Sequence, residues 1–247
     1  MIFSPSLVLL SYCVGIISFT SIIRSYKLIG AGFFWLMNSI AFGLSALAFV
    51  ADTNLLVALI SLITFGVLLL SILNRSKVKD ESDHVTIVLS LITIAPYLVY
   101  SFNTAQDTKV DLIWLEVLRS ISGAALLGGV TTAMLLGHWY LVQPGLSRKP
   151  IADMCMAVLV ALTVNTLLWF TKPSMFSVFT GSISDGWGGT LGYMWAGSVV
   201  TTFVLMVAAS KALKEKSYSA VMATTGLLYL AILVANGVEL IPRAIFS

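Results

Sequence analysis

The chain has 247 residues, of which 58% are hydrophobic and only 10% are charged, and its formal net charge is +3. Because an ordinary soluble domain has about 25% charged residues, this composition excludes a soluble enzyme or a nucleic-acid-binding domain. It indicates an integral membrane protein, and the lipid bilayer is its expected partner.

Long apolar stretches follow one another along the chain. A helix needs about 20 apolar residues to cross a hydrocarbon layer about 30 Å thick. Eight stretches meet this requirement, and they predict an all-α bundle of eight transmembrane helices that forms one transmembrane domain over residues 1–247. The predicted spans cover residues 5–23, 30–51, 54–74, 85–104, 119–142, 151–171, 188–210 and 218–241.

The basic residues are distributed unevenly between the loops. Ten of the 14 Lys and Arg residues lie in the loops that follow the odd-numbered spans. The positive-inside rule places these loops in the cytoplasm. We therefore expect both termini to be non-cytoplasmic, in a plasma membrane or bacterial inner membrane. The ten residues are Arg24, Lys27, Arg75, Lys77, Lys79, Arg148, Lys149, Lys211, Lys214 and Lys216.

The fifth span carries a row of small residues with a spacing of four. Ala125, Gly129, Ala133 and Gly137, here called the small-residue row, lie along one side of a helix. Small residues at this spacing let another transmembrane helix approach closely. The row predicts that the fifth span is central in the bundle, or that it packs against a partner chain or a second copy.

Two ionisable residues are predicted near the cytoplasmic ends of spans five and six. His138 precedes Trp139 and Tyr140, which are residue types typical of the membrane interface. It is a candidate for handling protons, because histidine changes charge near neutral pH, or for binding a ligand. A hydrogen-bonded interface histidine and a haem or metal ligand are the alternatives. Asp153 is expected in the first turn of span six, where the helix dipole favours an acid.

A second polar group is predicted at the opposite side of the membrane. Glu116 and Arg119 lie near the start of span five, whereas Asn236, Glu239 and Arg243 lie near the end of span eight. If these two helices are neighbours, Glu239 can pair with Arg119 and Glu116 with Arg243; the spacing of Glu239 and Arg243 also permits a pair within one helix. These side chains either fix the helix ends or form the polar wall of an outward-facing pocket. Asn165, nearest the middle of a span, is expected to bond a neighbouring helix.

The sequence lacks the common signatures of catalysis. It has no P-loop, no Cys-x-x-Cys or His-Glu-x-x-His pattern and no Gly-x-Ser-x-Gly motif. No catalytic residue and no metal site are therefore predicted.

Three functions fit these patterns. The first is a small-solute or proton-linked permease that uses the two polar groups in turn. The second is a non-catalytic subunit or assembly factor of a larger membrane complex, in which the small-residue row contacts another chain. The third is a redox membrane subunit that binds haem or a quinone near His138.

Overall fold

The computed structural model describes residues 4–73, 81–107, 112–143, 145–180, 189–215 and 217–246. The described residues are 88% helical and contain no strand. The helices in these residues are α1 (Pro5–Ser25), α2 (Ala31–Ala51), α3 (Leu55–Leu73), α4 (Glu81–Ile92), α5 (Ile94–Asp107), α6 (Ile113–Val142), α7 (Lys149–Phe170), α8 (Pro173–Phe179), α9 (Thr190–Ala212) and α10 (Tyr218–Ile245).

The prediction of eight apolar spans is confirmed. Within the described residues, eight helical stretches are long and apolar enough to cross a membrane, with α4 and α5 together providing the fourth. Two helices extend well past their predicted bounds. α6 has 30 residues and α10 has 28, which at 1.5 Å per residue gives lengths of about 45 Å and about 42 Å. Both therefore extend beyond a hydrocarbon layer of about 30 Å.

The fourth span is interrupted, whereas the sequence interpretation treated residues 85–104 as one helix. α4 ends at Ile92 and α5 begins at Ile94, with Thr93 in a turn between them. Pro96 explains the break, because it has no N–H to donate to the carbonyl of Ile92 and its ring clashes with the preceding turn. The buried Thr93 hydroxyl donates to the backbone oxygen of Ser90 at 2.6 Å. A side chain thus satisfies part of the backbone that the break exposes.

α6 lies at the centre of the bundle. It packs against α1, α2, α5, α7 and α10, and 83% of its most apolar window is buried, against 22% for α3 and for α9. The outer helices expose their leucine and phenylalanine side chains, as expected of surfaces that face lipid chains.

The tightest helix crossing lies beside the small-residue row. A Cβ atom on Gly128 would stand 2.5 Å from the backbone nitrogen of Ile16 and nearer still to Gly15, so α1 and α6 touch backbone to backbone. Gly15 in turn packs against the carbonyl oxygen of Ala124. The close approach therefore occurs at Ala124 and Gly128, each of which precedes a member of the small-residue row by one residue.

The small-residue row itself packs against helices of the same chain. Gly129 faces Phe19 of α1 and Val158 of α7, while Gly137 faces Thr225 of α10. Ala133 is fully buried and Ala125 is partly buried. At Gly129, Ala133 and Gly137 the row is thus occupied by this chain's own side chains, and a partner subunit stays a prediction.

The two ends of the bundle differ in character. One end carries the start of α1 and the end of α10, and we call it the terminal end. The other, the basic end, carries the α1–α2, α6–α7 and α9–α10 loops. The orientation of these ends relative to the cytoplasm stays a prediction. At the terminal end the chain after α7 forms the short helix α8; residues 181–188 and the basic loop residues 74–80 lie outside the described part.

Candidate functional site

A group of charged side chains is buried near the terminal end, where α6, α7 and α10 meet. We call Glu116, Arg119, Asn165, Lys172, Glu239 and Arg243 the buried ionic network. Glu116 and Glu239 are 0% exposed, and Arg119 and Arg243 are each 3% exposed. A charge within a bilayer costs about 2.5–3.5 kcal/mol at mid-depth on insertion scales, so such residues require compensating partners.

Arg119 is the main polar contact between α6 and α7. Its Nη1 donates to Oε1 of Glu116 at 2.6 Å, three residues earlier on the same helix. Its Nε donates to the backbone oxygen of Leu168 at 2.9 Å, and its Nη2 donates to Oγ1 of Thr171 at 3.0 Å. The guanidinium thereby donates to two acceptors at the carboxyl end of α7. Helix carbonyls there lack an intrahelical donor, and the helix dipole also favours a cation.

Lys172 adds a second positive charge next to this pair. Its Nζ lies 3.7 Å from Oε1 of Glu116, and 22% of its side chain is exposed. Burial lowers the pKa of the Lys172 ammonium; Glu116 opposes this shift, and Arg119 adds to it. Lys172 therefore lies at the boundary between the buried network and the membrane surface.

The second ion pair lies entirely on α10. Arg243 donates from Nε to Oε1 of Glu239 at 2.7 Å and makes a further short contact from Nη2 to the same oxygen. Pro242 lies between these two residues, yet the helix continues to Ile245 and the pair forms. The expectation of cross-helix pairs is therefore wrong. Glu116 pairs with Arg119 rather than Arg243, and Glu239 pairs with Arg243 rather than Arg119, because each i,i+3 or i,i+4 partner is already adjacent.

Asn165 joins the helices that the ion pairs leave separate. Its Nδ2 donates to Oε2 of Glu239 on α10 and to Oγ of Ser122 on α6, both at 3.1 Å. The prediction that Asn165 bonds a neighbouring helix is confirmed. The Glu239 carboxylate also rests on Gly123, where any Cβ atom would overlap it. Glycine is required there because the carboxylate lies directly against the α6 backbone.

Aromatic rings close the network towards the membrane surface. The rings of Trp169 and Phe246 are stacked with centroids 6.2 Å apart, which joins α7 to the end of α10. The Arg119 guanidinium lies 5.3 Å from the Trp169 ring, and Lys172 Nζ lies 4.3 Å from that of Phe246. Aromatic faces attract such cations. Trp195 of α9 joins the same apolar cluster and donates to the backbone oxygen of Val238 at 3.1 Å.

Some buried polar atoms in this region have no hydrogen-bond partner among the described residues. They include Oε2 of Glu116 and Oδ1 of Asn165, which are acceptors, and Nε1 of Trp169, which is a donor. A buried acceptor without a donor costs free energy relative to its hydrated state, about 1–3 kcal/mol for a neutral group and more for a charged one. The arrival of a proton or of a ligand that donates a hydrogen bond would remove this cost.

Asn236 lies about one helical turn from Glu239 and makes separate contacts. Tyr12 of α1 donates to Oδ1 of Asn236 at 2.5 Å, and Asn236 donates from Nδ2 to the backbone oxygen of Ile232. The asparagine therefore ties α10 to α1 rather than lining the same group as the two ion pairs.

The predicted pair of residues at the basic end does not form a comparable cluster. His138 is exposed on α6, and His84 is exposed on α4. Asp153 is also exposed, and α7 begins at Lys149, so Asp153 lies outside the first turn where it was expected. Its partner is Tyr26, whose Oη donates to Oδ2 at 2.7 Å. Within the described part of the chain, His138 and Asp153 share no hydrogen bond or ion pair.

Three members of the site were missed in the sequence. Lys172 was counted only as a loop charge, Trp169 was not considered, and Gly123 was overlooked because it falls outside the four-residue repeat of small residues. The position of Lys172 directly after Thr171 at the end of a span was a usable signal, since basic residues near helix carboxyl ends favour capping contacts.

Comparison with known proteins finds no matching family model, no matching curated protein and no matching solved structure. Among the described residues, no group of three or more His, Cys, Asp and Glu side chains could hold a metal ion. The haem or quinone ligand stays a prediction.

Proposed function

We propose that the protein is a proton-linked permease for a small anionic solute, and that the buried ionic network forms the part of its pathway nearest the terminal end. The observation that supports this proposal most is the pairing pattern. Each buried carboxylate keeps its arginine on its own helix, Glu116 with Arg119 and Glu239 with Arg243. Breaking a buried pair costs about 3–5 kcal/mol because it leaves an uncompensated charge. Pairs within one helix let the helices separate without that cost.

The separation that this pattern favours is between α10 and the α6–α7 pair. α9 and α10 form the most extensive helix contact, and Trp195 bonds α10, so these two helices move together. The contacts that must break include the Asn165–Glu239 hydrogen bond and the stacking of Trp169 on Phe246. Both are weak relative to a buried ion pair.

The charge of the network favours an anion. Arg119, Lys172 and Arg243 supply three positive charges, against the two carboxylates of Glu116 and Glu239, so the named network has one excess positive charge. A site with net positive charge attracts anionic solutes. Lys172, which is partly exposed, is the first cation that a solute from the terminal end meets.

A proton enters the mechanism at Oε2 of Glu239. An anion that binds Arg243 takes the guanidinium away from Glu239, and the freed carboxylate then accepts a proton. Oε2 accepts the Asn165 hydrogen bond, and protonation of this carboxylate removes the negative charge that strengthens that bond. The contact between α10 and α7 is thereby weakened, and one anionic charge is accompanied by one proton.

Transport in proteoliposomes tests this proposal. Vesicles contain a pH-sensitive dye and are given an inward gradient of dicarboxylates or inorganic phosphate, which do not cross lipid unaided. We expect the lumen to acidify when a transported anion is present. The double variant Glu239→Gln/Arg243→Gln should abolish acidification, because it removes both charges together and leaves no buried charge alone.

The matched control is Lys214→Gln/Glu215→Gln, which removes one charge of each sign from two exposed residues. This control should acidify the lumen at the rate of the wild-type protein. The proposal is wrong if no anion of the panel moves protons in the wild-type protein. It is also wrong if the α10 double variant transports as well as the control.

A further inference from the structure

A lateral groove runs along α1, and its lining includes none of the residues of the buried ionic network. Its deeper part, about 180 Å³, lies between α1, α5 and α6 and includes Ile94, Ile121 and Ala125 in its lining. A second cavity of about 60 Å³ lies between α1 and the start of α7. Phe19 and Ile22 border both cavities, so the two lie next to each other along α1, with the smaller one nearer the basic end; together we call them the lateral groove.

The deep part of the lateral groove is apolar. Its potentially polar lining groups, the hydroxyls of Ser18 and Tyr97, are already bonded to backbone oxygens of Val14 and Ser120. Ala125 leaves space that a larger side chain would fill. For comparison, a dry apolar cavity of about 150 Å³ accommodates a benzene molecule. The groove therefore suits a segment of hydrocarbon chain.

The end of the groove at the basic end is polar and charged. Tyr26 and Asp153, joined by the 2.7 Å hydrogen bond, line the smaller cavity. Asp153 is exposed, so its carboxylate is accessible. Lys149 lies four residues earlier on α7, so it shares the helix face of Asp153 and is also exposed. An acidic and a basic residue thus lie one helical turn apart on α7, and the acidic one borders the smaller cavity.

We propose that the lateral groove binds a phospholipid with a primary-amine headgroup, of the phosphatidylethanolamine type. One acyl chain lies in the deep part against Ala125, the ammonium donates to Asp153, and the phosphate lies against Lys149. The chemistry of the two cavities, hydrocarbon-lined in one and bordered by a carboxylate in the other, matches an acyl chain and a primary ammonium. Phosphatidylcholine has no N–H to donate to Asp153, and phosphatidylglycerol has no cation to place there.

Spin-labelled lipids provide the test, because electron paramagnetic resonance counts the lipids immobilised by the protein and ranks headgroups by relative affinity. In mixed bilayers we expect wild-type protein to prefer phosphatidylethanolamine over phosphatidylcholine about threefold, a modest factor because the ion pair is solvent-exposed. Asp153→Asn should abolish this preference, so that the two lipids bind with about equal affinity. Ala125→Phe should remove one immobilised lipid by filling the groove.

Ala223→Phe is the matched control, since Ala223 is exposed on α10 away from the groove and the same volume is added. Its lipid count and headgroup preference should equal those of the wild-type protein. Equal affinity for phosphatidylethanolamine and phosphatidylcholine in the wild-type protein overturns the proposal, as does preference for phosphatidylglycerol. An unchanged lipid count in a folded Ala125→Phe protein also overturns it. If Ala125→Phe does not fold, the Asp153→Asn ranking decides the question alone.

Discussion

Replacing Gly123 by alanine tests the contact between the Glu239 carboxylate and the α6 backbone. The added Cβ atom would lie 2.5 Å from Oε2 of Glu239 and nearer still to Oε1 and Cδ, whereas ordinary contacts are 3.4–4 Å. The carboxylate must therefore move by about 1 Å. Arg243 lies on the same helix and moves with it, but Asn165 lies on α7. The Asn165–Glu239 bond, now 3.1 Å, would lengthen to about 4 Å and cease to be a hydrogen bond.

The expected loss follows from that broken bond. A hydrogen bond to a charged group contributes about 1.5–3 kcal/mol, and we expect Gly123→Ala to lower the free energy of unfolding by about 2 kcal/mol. Titration with sodium dodecyl sulfate in mixed micelles measures this quantity. Gly226→Ala on α10 is the control, because nothing lies within 4 Å of its added Cβ. It should be neutral or stabilising by up to about 1 kcal/mol. Equal stabilities for Gly123→Ala and the wild-type protein would refute the proposed contact.

Three further predictions concern other contacts. Gly128→Ala should destabilise by about 3 kcal/mol or more, since its Cβ meets the backbone of Gly15 rather than a flexible side chain; a loss below that of Gly123→Ala in the same titration would contradict this. Asn165→Leu should lower the unfolding free energy by about 2–4 kcal/mol because it removes the donor to Glu239 and to Ser122, whereas Asn103→Leu, at an exposed position of α5, should change it by less than about 1 kcal/mol. The hydrogen bond from Tyr26 to Asp153 raises the pKa of Tyr26 above 10.0, so this bond stabilises the fold below pH 10.0 and is lost as pH rises through the higher folded value. The phenolate absorbance of Tyr26 is measured as the difference between proteins with and without the Tyr26→Phe substitution. In Asp153→Asn the pKa of Tyr26 should move back towards 10.0, and an unchanged pKa would contradict the bond.

The number of spans could be predicted because lipid imposes a single strong requirement. A backbone in hydrocarbon must satisfy its own polar groups, so apolar stretches of about 20 residues become helices whatever their neighbours are. The break at Thr93 had a local signal in Pro96, and it was missed because the hydrophobic pattern continues across it.

The partners of the buried charges were harder to predict because they depend on how helices are rotated about their axes. The spacing of Glu239 and Arg243 permits a pair within one helix, and the spacing of Glu116 and Arg119 does the same. A sequence does not decide between these pairs and cross-helix ones. The role of Asn165 was clearer, since a polar amide far from both membrane surfaces must find a partner on another helix. Gly123 gave no signal, because its importance depends on a carboxylate 116 residues later in the chain.

Measuring the accessibility of position 122 tests most directly whether α10 separates from the α6–α7 pair. Ser122 is 5% exposed and accepts the Asn165 hydrogen bond. The variant Ser122→Cys is placed in proteoliposomes and treated with a membrane-impermeant thiol reagent from the side of the terminal end. Wild-type protein is the blank, because Cys13 and Cys155 are both buried. We expect the introduced thiol to react, and to react faster when a transported anion and a proton gradient are present. A thiol that stays unmodified under every condition, while detergent-unfolded protein is fully labelled, would show that the helices do not open there.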